Sequence, residues 1–296
     1  MTTLIIDGNN QAFVSNMAMD LCNEDGFPTQ AIHGFFKAML SYAKMFEPDE
    51  IMVAWDGARS KKRIALFPEY KAGRADKKSD PIMEEKITAL RLQIPEIIEI
   101  CKALGWTQFM GGEADDSIAI ASQILSANKK HVIIVSGDKD FYQLINEYTS
   151  IFNPVQAAKV RHVTLYNFYE ARGMRPDQWL NYRAMTGDAS DGIPGAFGVG
   201  EGTAKAIIDT FDTPFKFYNA VLEGQHAPKR FEKNLIKDWD GFLLSRMLMD
   251  LKLGSLLADD THRVAYLKAP DNDTALSFFE KFNMDAVLSE FDTLIA

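Results

Sequence analysis

Short apolar runs alternate with amphipathic stretches along the first half of the chain. The runs at 3–6, 50–55, 107–109, 131–135 and 149–152 are rich in Ile, Val or aromatic residues and predict β-strands. Between them, residues 30–46 repeat apolar side chains at i, i+3 and i+4, and residues 82–104 and 113–127 predict further helices, with Pro95 making the first of these either two helices or one kinked helix. This alternation predicts an α/β fold with a mostly parallel central sheet flanked by helices on both faces.

The second half of the chain is predominantly helical in its pattern. After about residue 164 the strand signal fades, and helices are predicted to end at Gly173 and to cover 176–186, TAKAIIDTF and 229–250. Weak periodicity at 274–291 says little about the tail. We therefore predict an α/β domain over 1–163, a helical region over 164–254 and a helical tail over 255–296, whose role the sequence leaves open.

Nine carboxylates in five short clusters carry the strongest chemical signal, and three of the clusters directly follow predicted strands: Asp7, Asp56, Glu113, Asp115, Asp116, Asp138, Asp140, Asp188 and Asp191. Acidic side chains at the carboxyl ends of parallel strands meet in one crevice. A single Asp or Glu there is most often a helix cap, but five such clusters favour a shared site. Converging carboxylates resist ionisation unless a cation joins them, and Mg²⁺ or Mn²⁺ prefers oxygen ligands. The pattern therefore predicts phosphate chemistry at one or two metal ions.

The charge of the chain is consistent with this interpretation. The net charge is −9, from 41 acids and 32 bases, so that without the nine clustered carboxylates the two signs are equal in number. No apolar run is long enough for a membrane span. The strand-like MTTLIID start lacks a basic n-region, and the two cysteines lie in apolar, helix-like surroundings. We expect a cytoplasmic, monomeric protein without a secretory signal.

A basic segment follows Asp56. Residues 59–78 contain eight bases and two acids, among them Arg63, Lys71 and Arg74, with Tyr70 beside Lys71. Such a run is usually a solvated surface. However, Lys71 and Arg74 are one helical turn apart, so that they could stabilise charge on a phosphate, and an aromatic ring could stack on an unpaired base. The segment, taken as 57–81, is long enough to form an arch or lid.

A glycine-rich loop, GVGEGTAKA, precedes one of the later predicted helices. Glycines allow close backbone approach, and a following helix would direct free N–H groups at a phosphate. Its predicted DNA-contacting residues are Gly198, Gly200, Gly202, Thr203 and Lys205. A plain connection between two helices is the alternative for the loop alone. Its position shortly after Asp188 and Asp191 favours a functional role.

Taken together, these motifs resemble those of the 5′-nuclease superfamily, which includes flap endonucleases, phage 5′→3′ exonucleases and the 5′-nuclease domain of bacterial DNA polymerase I. The resemblance covers about residues 3–250 and rests on LIIDGNN, RIALFPEYKAGR, GGEADDSIA, VIIVSGDKDFYQL, TGDASDGIPG and GVGEGTA. Gly192 stands where many relatives have Asn, but no predicted ligand is missing.

The resemblance implies specific roles. Asp7, Asp56, Glu113, Asp115 and Asp116 would hold one Mg²⁺, and Asp138, Asp140, Asp188 and Asp191 would hold or orient a second. Lys71 and Arg74 would act on the scissile phosphate together with Asp7, Asp56 and Asp138, while Arg63 and Tyr70 would join the DNA-binding arch. Residues 198–203 would belong to a helix–hairpin–helix (H3TH) element that binds duplex DNA, with K⁺ as an additional ion.

The sequence-based hypothesis is a structure-selective, divalent-metal-dependent 5′ nuclease. Its substrates would be DNA with a 5′ flap, a nick or a single-stranded 5′ end, with RNA–DNA hybrids as further candidates. Two alternatives remain open. One is another metal-dependent phosphohydrolase, such as a PIN-like ribonuclease; a haloacid-dehalogenase-type phosphatase is disfavoured because Gly8 and Asn9, and no second Asp, follow Asp7. The other is a non-catalytic protein that binds DNA junctions.

Overall fold

The sheet is the centre of the molecule. A computed structural model describes residues 1–74, 80–253, 263–265 and 269–294, with the backbone alone at Arg74 and at 263–265. Within this part the strands are β1 (Thr2–Asp7), β2 (Glu50–Ala54), β3 (Thr107–Met110), β4 (His131–Val135), β5 (Thr149–Phe152), β6 (His162–Val163) and β7 (Arg263–Ala265). They form one sheet in the order β6-β5-β4-β1-β2-β3-β7. The inner pairings are parallel, and only β6 and β7 at the two edges pair antiparallel.

Helices cover both faces of this sheet. In the described residues they are α1 (Gly8–Ala18), α2 (Gln30–Phe46), α3 (Lys61–Leu66), α4 (Pro81–Ala103), α5 (Ala114–Ala127), α6 (Phe168–Arg172), α7 (Pro176–Thr186), α8 (Glu201–Phe211), α9 (Pro214–Leu222), α10 (Glu232–Lys237), α11 (Trp239–Met249), α12 (Asn272–Lys281) and α13 (Asp285–Leu288). The predicted mostly parallel α/β fold is confirmed. Helix α4 runs continuously through Pro95, which settles the alternative left open by the sequence. No described helix combines the length and apolarity that a membrane crossing requires.

Alternate residues of the central strands pack into two apolar cores, one on each face of the sheet. Leu4 and Ile6 of β1 pack on one face with residues of α2 and α4, whereas Ile5 packs on the other face with α5. This alternation follows from the two-residue period of a strand. Because both faces are covered, β1 reads as a continuous apolar run.

The predicted helical region and the predicted tail both contribute side chains to these two cores. Phe279 and Phe282 of the tail are buried with α2 and α4, so that helices α12 and α13 complete the first core. On the other face, Trp179 of α7 and Phe242 of α11 share the second core with β1 and α5. The apolar core therefore continues across residues 163/164, and the division into separate domains remains a prediction.

Candidate active site

Four of the five carboxylate clusters lie along the carboxyl edge of the parallel sheet or directly after it. Asp7 is the last residue of β1, and Asp56 and Asp138 follow the adjacent strands β2 and β4 by a few residues. Glu113 precedes α5, and Asp115 lies in the first turn of that helix. Since β1 lies between β2 and β4, the sheet itself brings these side chains to one crevice.

Asp7 is held in the middle of this crevice. Its carboxylate accepts hydrogen bonds from Asn10 N at 3.0 Å and from Ser136 Oγ at 2.8 Å. Burial raises the pKa of Asp7 to about 7; the two hydrogen bonds oppose the rise, and the charges of Asp56 and Asp138 add to it. Asp7 therefore holds a proton more readily than an ordinary carboxyl, and a cation would reverse that tendency.

Asp56 is positioned from two directions. Its amide donates to Asn9 Oδ1 at 2.8 Å, and its Oδ1 accepts from Ala114 N, at the start of α5, at 3.0 Å. Next to it, a side chain on Gly57 would place its Cβ 2.6 Å from the backbone of Gly111. The absence of a side chain at Gly57 thus lets the β2 and β3 loops approach closely and brings Asp56 to the helix that carries Asp115.

Asp115 and Asp138 connect the two parts of the carboxylate set. Burial raises the pKa of Asp115, and the nearby charge of Asp138 raises it further. Burial also raises the pKa of Asp138; a hydrogen bond from Asp140 N opposes this, while Asp191 and Asp188 add to it. Mutual repulsion therefore extends from the strand-end group to the acidic residues after α7.

Glu113 and Asp116 form ion pairs with a buried arginine of α3. Arg63, only 2% exposed, donates from Nη1 and Nη2 to the two oxygens of Asp116 at 2.6 and 2.7 Å, and from Nη1 to Glu113 Oε2 at 3.2 Å. Tyr70, also buried, donates its hydroxyl to the same Glu113 oxygen at 2.9 Å. Both side chains are buried in this structure, and their predicted contact with DNA stays a prediction. Asp116 is fully buried, so its predicted role as a metal ligand stays a prediction.

Lys71 also points into the crevice. Its Nζ lies 3.3 Å from Glu113 Oε2, 3.8 Å from Asp191 Oδ2 and 4.0 Å from Asp115 Oδ2. Its backbone has φ 55°, and its amide donates to Asp191 O at 2.8 Å. Burial acts to lower the pKa of Lys71, but Asp115, Tyr70, Glu113 and Asp191 outweigh it and raise the pKa. The side chain of Arg74, predicted as its partner, lies outside the described part of the chain.

A cation that the sequence did not single out lies at the second group of acids. Arg183 of α7 donates from Nε to Asp140 Oδ1 at 2.8 Å and from Nη2 to Asp188 Oδ2. Burial raises the pKa of Asp140 to about 7, Asp138 adds to the rise, and Arg183 opposes it. Asp188 is also affected by burial, but hydrogen bonds from Ser190 and the charge of Arg183 leave its pKa lowered. The only sequence signal for Arg183 was its position five residues before Asp188.

The donor set fits hard divalent cations, because it consists of carboxylate oxygens that repel one another. As placed in the described residues, however, no three His, Cys, Asp or Glu side chains form a group that could hold a metal ion. Lys71 and Arg183 lie among the acids instead. The structure thus brings the predicted carboxylates to one region, where the side chains of Lys71 and Arg183 partly neutralise their negative charge.

The predicted glycine-rich loop joins α7 to α8. Gly200 immediately precedes α8, and Gly202, Thr203 and Lys205 lie within it. A Cβ added at Gly200 or Gly202 would meet nothing within 4 Å, so the backbone there is open to a close ligand. Lys205 forms an ion pair with Asp209 within the same helix. Gly200, Glu201 and Gly202 are also exposed, so the start of α8 lies at the surface, where a helix N-terminus can meet an anion, although Lys205 already has a partner.

These features define an α/β protein with an acidic crevice at the carboxyl edge of its sheet and a helix–loop–helix beside it. Residues 2–173 match the family described as 5′-3′ exonuclease, N-terminal resolvase-like domain, and residues 174–273 match 5′-3′ exonuclease, C-terminal SAM fold. The chain belongs to the 5′-3′ exonuclease family, and the resemblance seen in its motifs is confirmed.

Individual relatives agree with this assignment. A 5′-3′ exonuclease of Aquifex aeolicus is 29% identical over 297 residues, which are 99% of this chain and 96% of that protein. DNA polymerase I of Deinococcus radiodurans is 34% identical over 263 residues, covering 85% of this chain and 26% of the polymerase. The chain spans about a third of the length of the thermostable polymerases that it matches, such as that of Thermus aquaticus. The crystal structure of the T5 D15 protein co-crystallized with metal ions is similar in fold, with a TM-score of 0.72, 21% identity, and coverage of 96% of this chain and 99% of that one.

Proposed function

We propose that this chain is a divalent-metal-dependent 5′ nuclease that hydrolyses phosphodiester bonds near the 5′ end or junction of branched or nicked DNA. The observation that carries the proposal is the convergence of Asp7, Asp56, Asp115 and Asp138 on a crevice that also contains Lys71. The family membership and the metal ions crystallised with the T5 D15 protein support it.

In this proposal, one Mg²⁺ or Mn²⁺ would be held by Asp7, Asp56, Glu113, Asp115 and Asp116, and a second would be held or oriented by Asp138, Asp140, Asp188 and Asp191. Bound divalent cations supply Lewis acidity and a lowered pKa for water. Arg63 and Tyr70 orient Glu113 from behind, since both donate to its carboxylate.

Lys71 has a distinct proposed role. In the structure its ammonium group compensates Glu113, Asp115 and Asp191. With divalent cations held by these acids, Lys71 would be available to the phosphate, where it would stabilise the charge that builds on the non-bridging oxygens. Arg74, one turn further along, is proposed to act with it.

Binding of the substrate is assigned to the loop and the start of α8. Backbone amides there would hold phosphates of the duplex without reading bases. K⁺ at this loop, a monomeric state, a cytoplasmic location and action on RNA–DNA hybrids remain parts of the proposal. Phosphate contacts predict that binding weakens with rising salt.

The test is incubation with a 5′-labelled flap DNA, with Mg²⁺ or with chelator, followed by sizing of the products. Metal-dependent release of a fragment cut near the junction supports a flap endonuclease, and mononucleotides support an exonuclease. The Asp138→Asn variant is the matched control for contaminating nucleases. Bound but uncut DNA in both Mg²⁺ and Mn²⁺ would instead identify a non-catalytic junction-binding protein.

A further inference from the structure

Phe197 is an exposed aromatic residue in the loop between α7 and α8. Its side chain is 83% exposed, although Phe is among the residue types most often buried. Two other residues of the loop are buried: Ala196 is 3% and Val199 is 6% exposed, and both belong to the second apolar core. The loop is therefore anchored on each side of Phe197, and the ring is directed outward between the anchors.

Side chains of the α10 region fix the backbone at this point. Phe197 N donates to Asp238 Oδ2 at 2.6 Å, and Asn234 Nδ2 donates to Gly198 O at 3.0 Å. Gly198 has φ 72°, and a Cβ at this position would lie 2.7 Å from Asn234 Nδ2. Phe197 is thus exposed on a loop whose backbone is held in place by these contacts.

The surroundings of Phe197 indicate what the ring could contact. Three residues further on, Gly200 leads into α8, whose first residues are exposed as described above. One loop therefore presents hydrogen-bond donors suited to phosphate and an apolar ring. A nucleic-acid backbone alternates phosphate with sugar, and the carbon face of a deoxyribose is the apolar surface that adjoins each phosphate.

We propose that Phe197 packs against a deoxyribose of the strand whose phosphates the start of α8 binds, and that this contact makes the loop prefer DNA over RNA in that strand. The 2′-hydroxyl of a ribose would be covered by the ring without a hydrogen-bond partner, which is unfavourable. This inference rests on the proposed function and adds a sugar-discriminating residue to it.

The experiment compares wild type, Phe197→Ala and Tyr166→Ala by fluorescence anisotropy with a 5′-flap duplex in chelator, so that no cleavage occurs. The substrate is prepared as DNA throughout and with RNA in the duplex part of one strand or of the other. Tyr166 is the matched control because it is 85% exposed and lies outside the loop. Unchanged thermal melting checks that both variants fold.

The expected result is that wild type binds all-DNA more tightly than one of the two hybrids. Phe197→Ala should weaken binding of all-DNA about tenfold, equivalent to 1.4 kcal/mol, with little effect on the disfavoured hybrid. Tyr166→Ala should leave both affinities unchanged. Preference for DNA would then be lost in the Phe197 variant alone.

Three results would overturn the inference. Phe197→Ala could bind every duplex as wild type does, or it could lose the same factor on DNA and on both hybrids, which would mean that the ring does not sense the sugar. Loss of a concentration-dependent dimer in the variant, with DNA binding intact, would assign the ring to a contact between two copies of the chain. If wild type neither binds flap DNA nor cuts it with Mg²⁺, the proposed function fails as well; if wild type does both, a failure concerns Phe197 alone.

Discussion

Replacing Arg63 by Met would remove the cation that links helix α3 to the carboxylates of Glu113 and Asp116. Arg63 is 2% exposed, and its Nε donates to Leu248 O at 3.1 Å in addition to the bonds with Asp116 and Glu113. Met has a similar volume and no charge, so the substitution leaves a fully buried Asp116 without its cation. Breaking a buried pair in this way destabilises a protein by about 3–5 kcal/mol.

The free energy of unfolding should therefore fall by about 3–5 kcal/mol at pH 7. The loss should be smaller near pH 5, because a lone buried carboxyl can bind a proton instead of carrying an uncompensated charge. The assay is urea denaturation followed by circular dichroism at both pH values, in chelator so that metal binding does not contribute. Removing both charges, in Arg63→Met with Asp116→Leu, should recover much of the stability at pH 7.

The matched control is Lys102→Met, which breaks the pair between Lys102 and Glu99 at 2.9 Å, where both side chains are about half exposed. Such surface pairs contribute about 0–1 kcal/mol. The reasoning fails if Arg63→Met is no more destabilising than Lys102→Met, or if its effect at pH 7 is unchanged at pH 5. Either result would mean that solvent, rather than Arg63, compensates the buried acids.

Four further predictions concern the crevice and the loop. Asp138→Asn should reduce turnover on flap DNA by orders of magnitude without lowering the melting temperature in chelator, because it relieves repulsion; equal rates would exclude Asp138 as a metal ligand. Lys71→Ala should lower kcat more than DNA affinity, and single-turnover rates compared with anisotropy test this. The pKa values of Asp7 and Asp140 are raised to about 7 from an ordinary 3.8. Between pH 3.8 and about 7 the folded chain therefore binds more protons than the unfolded chain. In chelator its melting temperature should therefore fall as pH rises from about 4 to 7, and Mg²⁺ should reduce that fall; a rise would contradict the assignment. Gly198→Ala, at positive φ and close to a side chain, should weaken duplex binding equally for unrelated sequences, as titration of several duplexes would measure.

The strands and the strand-end acids were predictable because both signals are local. A parallel strand covered on both faces is a short continuous apolar run, and each of the five predicted runs is a strand in the structure. Once the runs are placed, Asp7 and the acids after the next strands must meet at one edge. Neither step needs a contact between distant residues.

Helix α1 was not predicted, and its composition explains why. Its buried residues are Gly8, Gln11, Ala12, Ser15 and Asn16, so the face toward the protein is largely polar. These side chains are satisfied by hydrogen bonds, as in Tyr42 OH to Gln11 Oε1 at 2.9 Å. Apolar periodicity detects only helices that bury apolar stripes. The edge strand β6 was missed for a different reason, since two residues are too short for any period.

The positions of Arg63 and Tyr70 could not be read from the basic segment. A run of eight bases has the composition of a solvated or nucleic-acid-binding surface, and nothing local distinguishes the buried members. Burial of Arg63 depends on Glu113 and Asp116, which lie 50 and 53 residues away. Only the assembled fold reveals that Arg63 and Lys71 are buried beside the acids, while other bases of the run, such as Arg59, remain exposed.

The three cations at the carboxylates come from three separate parts of the chain. Arg63 lies in α3, Lys71 in the segment after it, and Arg183 in α7 of the helical region. Arg63 and Lys71 are both buried but differ in their contacts: Arg63 forms a bidentate pair with Asp116, whereas Lys71 makes longer contacts of 3.3 to 4.0 Å with its acids. If these carboxylates held a divalent ion, the longer contacts of Lys71 would be lost more readily than the bidentate pair of Arg63. Lys71 would then be the cation available to a phosphate, which is the role that the proposed reaction requires of it.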